Sequence, residues 1–455
     1  MQVHLSPVAD TGTPDAGAAA PDSVPDSASS ASGSGPMKPA QTMPATPPMP
    51  EALFTRSPRA AWLAVASMAV GTFATVTTEF MPIGLLTNIA EGLGVSEGTA
   101  GLMVTTPGIV AALAGPGLIV LSGRLDRRAV LLALSALLVV SNLLAAFAPN
   151  FATMLVARFL LGLCVGGFWT FAPSATGHLV PAALLPRAMS LVLAGISVAT
   201  VFGVPAGALL GNLAGWRATF GVTAALAAVV LMCQAWLLPA MPPARAIGLR
   251  DLLTPLARPM ARVGLFAVLF LISGHFAAYT YLKPLLQQVF GLSPNAVTGL
   301  LLVYGAAGFI GTFTGGSLVA RSVRGTTLLA ALAIAGVLLV AALAGGQAHA
   351  GGTGSLAMGT AVVLVWGMAF GLIPVALTSW MIEAVPDAQE AGQALLVSGF
   401  QVAIALGAAL GGLAVDRRGV SSAILLGSAS ALVAAVVVGW STRAQGRPVP
   451  RLPAI

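Results

Sequence analysis

The chain has 455 residues, 57% of them hydrophobic and only 8% charged, about a third of the ~25% usual for soluble globular proteins. A soluble fold of this size could not cover its surface with so few polar groups, so the composition excludes soluble domains and describes many membrane spans. The net charge of +7 forms no basic stripe on a polar face, so no nucleic-acid partner is expected.

Residues 1–58 contain 11 prolines among Ala, Ser, Gly and Asp and almost nothing large and apolar. Such a segment cannot bury enough surface to offset its chain entropy and is expected to be a disordered tail. It lacks the basic-then-apolar layout of a secretory signal, so insertion is expected to begin at the first span. From Ala61 onward, apolar runs of about 20 residues or more, the length needed to cross the hydrocarbon, alternate with short Gly, Pro or charged punctuation. Twelve spans are expected, at 61–86, 99–121, 129–148, 152–177, 187–210, 217–238, 262–285, 298–320, 326–345, 356–380, 391–413 and 420–440. Cys164 and Cys233 both lie inside apolar runs, in neither a disulfide nor a metal-ligand spacing, and read as small buried hydrophobes.

Sorting the basic residues by loop places 16 of the 21 on one side, including those of both termini. Only Arg217, Arg417 and Arg418 fall on the other, while Arg158 and Lys283 lie within spans. The positive-inside rule therefore puts both termini in the cytoplasm, as an even number of spans requires. The spans also repeat. Gly162-Leu-Cys-Val-Gly166 of the fourth is matched 205 residues later by Gly367-Met-Ala-Phe-Gly371 of the tenth, and Val180-Pro181 by Val385-Pro386. Glu79-Phe-Met-Pro82 aligns with Tyr281-Leu-Lys-Pro284. The expected fold is an all-α polytopic membrane protein of two parallel six-helix halves, 59–238 and 262–440, joined by a cytoplasmic linker at 239–261 and followed by a tail at 441–455.

Specific residues resemble the major facilitator superfamily, in particular its drug:proton antiporter branch with twelve spans. They are Gly123-Arg-Leu-Asp126-Arg-Arg128 between spans two and three, Arg158 with Gly162, Gly203-Val-Pro205-Ala-Gly207 in span five, and Thr78-Glu79-Phe-Met-Pro82 in span one. Within that branch, Gly166-Gly-Phe-Trp169, Leu179-Val-Pro181 to Gly207, Ser273-Gly-His275-Phe and Trp366-Gly-Met-Ala-Phe-Gly371 look most like bacterial purine ribonucleoside efflux pumps. Sugar-efflux and chloramphenicol-export relatives are the nearest competitors. The loop departs from the family pattern in placing Asp126 three rather than four residues after Gly123, and Val204 precedes Pro205 where the family usually has glycine. The resemblance implies that Gly123, Asp126, Arg127 and Arg128 pin neighbouring helix ends in the outward-open state. It also implies that Gly203, Pro205 and Gly207 act in gating; close helix approach and a bend in span five would suffice without it.

An ionisable side chain inside an apolar span is a functional hypothesis by default. Glu79 lies roughly 26 Å into the first span from Trp62, in the outer third, and Arg158 on the fourth comes out at nearly the same depth. A Glu79–Arg158 pairing is geometrically allowed. A carboxyl that moved between an apolar surrounding and a nearby guanidinium would load and release a proton, with Arg158 biasing it; a fixed structural pair is the alternative. His275, near mid-bilayer, could titrate near neutrality or simply hydrogen-bond a neighbouring helix. Lys283 reads as snorkelling at the external boundary. Thr78, Phe168, Trp169, Thr200, Tyr279, Tyr281, Trp366, Phe370 and Gln401 are candidates to line a cavity with aromatic faces and few charges, although aromatic groups also pack bundles.

A phosphate-binding loop needs a lysine after glycine, and the chain's two lysines, Lys38 and Lys283, are not so placed, which excludes ATP as the direct drive. No HExxH sequence or pair of membrane aspartates supports an intramembrane enzyme, and no metal or cofactor is expected. The reading is a monomeric, proton-coupled antiporter of the bacterial inner membrane, exporting small neutral or amphipathic solutes by alternating access. Purine ribonucleosides are the first candidate solute, a sugar or chloramphenicol-type drug the second. An importer or solute sensor on the same scaffold is the remaining alternative.

Overall fold

A computed structural model describes residues 57–121, 125–241, 253–344 and 353–445. Residues 1–56 of the expected N-terminal tail, Gly123, residues 242–252 of the linker and the last ten residues lie outside the described residues. Eleven helical stretches are long and apolar enough to cross a membrane. One of them, Arg187–Leu237, has 51 residues, about 77 Å of helix and far more than one crossing. Gly215, at φ 83°, breaks it into two, because only glycine takes that left-handed conformation at no cost. Twelve spans therefore result among the described residues.

The spans are Pro58–Leu93, Leu102–Leu121, Arg127–Ala146, Phe151–Leu179, a fifth built from Leu185–Val198, a π turn at Ala199–Gly203 and Val204–Ala214, then Trp216–Leu237, Pro259–Tyr279, Pro294–Arg321, Val323–Ala344, Thr353–Ala384, Gln389–Arg418 and Val420–Gln445. Side-chain caps start several of them: Ser57, Asp126, Asn150 and Ser293 each accept a bond from a first-turn N–H. The π turn of span five immediately precedes Pro205, whose missing N–H already interrupts the regular ladder. The twelfth helix runs through Gln445, five residues into the expected tail. The first runs to Leu93, and that changes a depth. Glu79 sits about 32 Å from its start and about 21 Å from its end, toward the middle of the helix.

The two halves use the repeated glycines for the same purpose. A Cβ on Gly162 or Gly166 would stand 2.5 to 2.6 Å from Val110 Cβ or Ala111 O of span two, and one on Gly367 or Gly371 would meet Tyr304 O or Gly308 O of span eight at 2.4 and 2.1 Å. Bare backbone is what lets span four press on span two, and span ten on span eight. The halves then meet through spans two and eleven and through spans five and eight. Gly108 lies against Gln401 O and Ala405 of span eleven, and Gly305 against Thr200 O and Val201 of span five.

Candidate functional site

The end of the bundle that carries Pro58 and Gln445 is called the terminal face, the opposite end the distal face. Near mid-bundle, Glu79 is buried at 4% exposure and Arg158 at 1%. They are close enough to act on each other electrostatically but are not in salt-bridge contact; the described ion pair is Arg258–Asp387, at the surface. Arg158 Nη1 instead donates to the backbone carbonyl of Thr78 at 2.8 Å, and its guanidinium lies over the Phe220 ring at 4.9 Å.

The sequence of span one explains this. Pro82 stands four residues after Thr78 and has no N–H, so the Thr78 carbonyl lacks its intrahelical donor and is left for Arg158. Nε and Nη2 of Arg158 are buried without hydrogen-bond partners among the described residues. A carboxylate nearby and two unused donors make a site with spare capacity rather than a closed structural pair. Glu79 Oε1 accepts its bond from the other half of the molecule, from Gln401 Nε2 of span eleven at 3.3 Å.

Around this level a neutral network was not apparent in the sequence. Asn142 of span three donates to Thr78 Oγ1 at 3.3 Å and to Leu138 O at 2.9 Å, and accepts from Thr223 Oγ1 of span six at 2.8 Å. It ties three spans behind Glu79. An asparagine in the middle of an apolar run is the signal that could have found it. Thr78 Oγ1 also donates to Ala74 O, so that hydroxyl is engaged within the first half rather than offered to a solute.

His275 is fully buried and sits at the centre of an aromatic cluster. Trp366 Nε1 donates to its Nδ1 at 3.1 Å, Tyr304 OH lies 3.5 Å from Nε2, Phe370 stacks on the ring at 3.9 Å and Tyr279 at 5.0 Å. To accept from Trp366, Nδ1 must carry no proton, which places the ring proton on Nε2 facing Tyr304. His275 thus has the hydrogen-bonded arrangement of a neutral anchor for the rings. Phe80, next to Glu79, stacks on Phe276 at 5.6 Å and brings the first half to the edge of this cluster. Tyr304 completes the cluster without having stood out in the sequence, although the chain has only three tyrosines.

The expected cavity residues therefore separate. Tyr279, Trp366 and Phe370 come together around His275, and Phe370 is the half-buried member. Gln401 joins Glu79. Phe168 is packed inside the first half, edge-on to half-buried Trp169, beside a void of about 10 Å³ bounded by Gly71, Ser135 and Cys164. Thr200 is in the π turn, bonded to Ser197 O. Tyr281 is not with the other rings: it is fully buried toward the distal face, its hydroxyl donating to Ala408 O at 3.1 Å and Gly98 O at 3.4 Å.

That distal face is where the halves are pinned. Asp416 of span eleven accepts from Ser96 Oγ at 2.8 Å and Gly98 N at 3.0 Å, Gln288 donates to Glu97, Asn212 to Thr298, and Lys283 to Asn88. Lys283 is buried at 3% exposure, so it points inward to a partner rather than snorkelling. At the terminal face the contacts described among Arg258 and Asp387, Arg128 and Ala235, and Arg324 and Met260 each stay within one half.

The described residues among those expected to gate make contacts within the first half. Asp126 caps span three through Arg128 N at 2.8 Å and also accepts from Met241 N at 3.0 Å, while Arg127 lies over Phe171. The loop thus latches the ends of spans three and six together. Gly203 and Gly207 lie against Thr77 and Met81 of span one, where a Cβ would stand 2.6 and 2.5 Å from the nearest side-chain atoms. Pro205 is buried between them.

Comparison with known proteins gives consistent results. The Major Facilitator Superfamily pattern matches residues 68–395. The chain is 34% identical over 380 residues to the purine ribonucleoside efflux pump NepI of Escherichia coli O1:K1 / APEC, covering 83% of this chain and 93% of that one. It is 33% identical over 385 residues to NepI of Salmonella paratyphi C, covering 84% and 94%. Among solved structures it is similar in fold to a mutant of the nucleoside transporter NupG, with TM-score 0.69 at 12% identity over 83% of this chain and 99% of that one. A bacterial homologue of the human lysosomal transporter Spinster, inward-facing and unoccupied, gives TM-score 0.62 at 15% identity over 85% and 96%.

Proposed function

The chain belongs to the Major Facilitator Superfamily and is a secondary transporter rather than an enzyme; from that premise we propose that it is a proton-coupled antiporter exporting purine ribonucleosides. The observation that carries the coupling is Glu79: a carboxyl buried at mid-bundle, bonded across the halves to Gln401, near a guanidinium whose Nε and Nη2 lack hydrogen-bond partners among the described residues. A proton taken up by Glu79 from one side and given to water on the other would drive solute the opposite way as the halves rock. Phe370, the half-buried ring of the cluster packed around His275, is the apolar group there that a planar base could approach, and the relatives' names favour a nucleoside over a sugar or chloramphenicol-type drug.

The basic majority expected on the terminal face supports placing that face in the cytoplasm of a bacterial inner membrane. With that orientation, the cross-half contacts of the distal face support an inward-facing state. The test is uptake into inverted vesicles under an imposed pH gradient, with inosine, guanosine, arabinose and chloramphenicol offered separately. Nucleoside accumulation that is lost in Glu79→Gln is expected. Uptake that survives unchanged in Glu79→Gln sinks the proton-carrier role, and accumulation of arabinose or chloramphenicol alone overturns the solute.

A further inference from the structure

We propose that Gln401 is the positioning residue through which the protonation state of Glu79 is communicated to the second half of the molecule. The inference rests on the reading of Glu79 as the proton carrier. Gln401 is on span eleven and Glu79 on span one, and both are buried. The other described side-chain bonds between the halves lie toward the distal face. The bond at 3.3 Å is therefore the cross-half polar link described at the level of the carboxyl.

The backbone that carries Gln401 is itself fixed. A Cβ on Gly108 of span two would stand 2.9 Å from Gln401 O and 3.0 Å from Ala405 Cβ, so span eleven is seated directly on the first half there. The side-chain amide must answer Glu79 by turning, not by sliding. Its Oε1 is buried with no hydrogen-bond partner among the described residues. An ionised carboxylate only accepts, whereas a protonated one offers an O–H, and an amide has a donor at one end and an acceptor at the other. As described, Nε2 faces Glu79 and serves the ionised form. On protonation, with the proton arriving from water and returning to water, a half-turn of the amide brings the unused Oε1 to the new O–H.

The two links differ in strength, because a bond to a charged group is roughly twice as strong as one between neutral groups. Protonation therefore loosens the hold between the halves, and deprotonation restores it. The charged group acting on Glu79 is Arg158 of span four; spans three and six bring the neutral Asn142 and Thr223, and on span seven His275 is committed to Trp366 and Tyr304.

The test needs no transported solute. Spin labels at Glu91→Cys and Arg417→Cys, both exposed on the distal face, are introduced with Cys164 and Cys233 replaced, and the full chain is placed in nanodiscs. The distance distribution is followed as a function of pH. The expected result is a pH-dependent distribution whose midpoint moves to higher pH by about one unit or more in Gln401→Met, because the ionised carboxylate has lost a donor. Gln401→Asn, too short to reach, is expected to shift the midpoint the same way and serves if the methionine variant does not fold. A purely structural role would lower stability and leave the midpoint where it was. An unchanged midpoint in these variants overturns the proposal, as does a parent distribution indifferent to pH when vesicle uptake depends on Glu79. A distribution that still titrates in Glu79→Gln locates the failure in the reading of Glu79 itself.

Discussion

Pro82 governs the arrangement at Glu79 through a hydrogen bond it does not make. By withholding one N–H it leaves the Thr78 carbonyl to Arg158 and so draws the guanidinium into a backbone bond next to the carboxyl. Pro82→Ala would restore the intrahelical donor, and Arg158 is expected to turn to Glu79 and form a closed pair. Gradient-driven uptake should then fall at least tenfold while detergent-solubilised protein becomes more, not less, resistant to heating. Asn142→Leu is expected to act on stability, because it removes the bonds that tie spans one and six to span three while the Thr78 and Thr223 hydroxyls keep their backbone carbonyl partners; two buried bonds at roughly 0.5–1.5 kcal/mol each give a loss of about 1–3 kcal/mol. Thermal unfolding of the purified protein measures it. Glu79 and Arg158 were legible in the sequence because charges in apolar runs stand out, and Asn142 was not because it carries none. Their relation was illegible: that Arg158 would take a carbonyl depends on which face of span one meets span four.

Glycine seams set which spans can close on one another. At the distal face a Cβ on Gly98 would stand 2.3 Å from Gly412 O and 2.4 Å from Asp416, and one on Gly101 would be 1.8 Å from the Tyr281 hydroxyl. The short helix Glu97–Ala100 that leads into span two meets span eleven of the other half there backbone to backbone, and Asp416 adds to the contact by accepting from Ser96 and Gly98. Gly98→Val is expected to wedge this seam apart and shift the labelled distal distance toward longer values, with greater external reactivity of a cysteine placed at Thr87. A distribution identical to that of the parent would show that the seam does not hold the face shut. Between spans one and five the same device uses Gly195, Gly203, Gly207 and Gly211, each lying against span one. The sequence displays such glycines plainly, yet the partner of each is a tertiary fact: Gly203 and Gly207 of the span-five motif meet Thr77 and Met81 of span one.

For the whole molecule, the pairing of equivalent spans in both halves gives rigid bodies that meet along spans two and eleven and spans five and eight. Close contacts at Gly108 and Gly305 join the halves at mid-bundle, where rocking of one half on the other would have to turn. Which face is cytoplasmic is checked by fusion reporters. A fluorescent protein joined after Gln445 is expected to fold and fluoresce, and alkaline phosphatase joined after Asn150 to be active; the reverse pattern would invert the assigned direction of transport.

Composition and spacing alone determined that this is a membrane protein of twelve helices, because the hydrocarbon thickness dictates the length of every run and excludes charge from it. They also isolated the few ionisable groups that could carry a proton. Tertiary structure decided what those groups do to one another: Arg158 bonded to a carbonyl rather than to Glu79, Lys283 turned inward to Asn88, Tyr281 set in a seal apart from the other rings, and Gln401 reaching Glu79 from 322 residues away. Helical periodicity fixes a side chain's depth along the bundle, but its partner depends on how each helix is rotated about its own axis, and close packing against neighbouring helices sets that rotation.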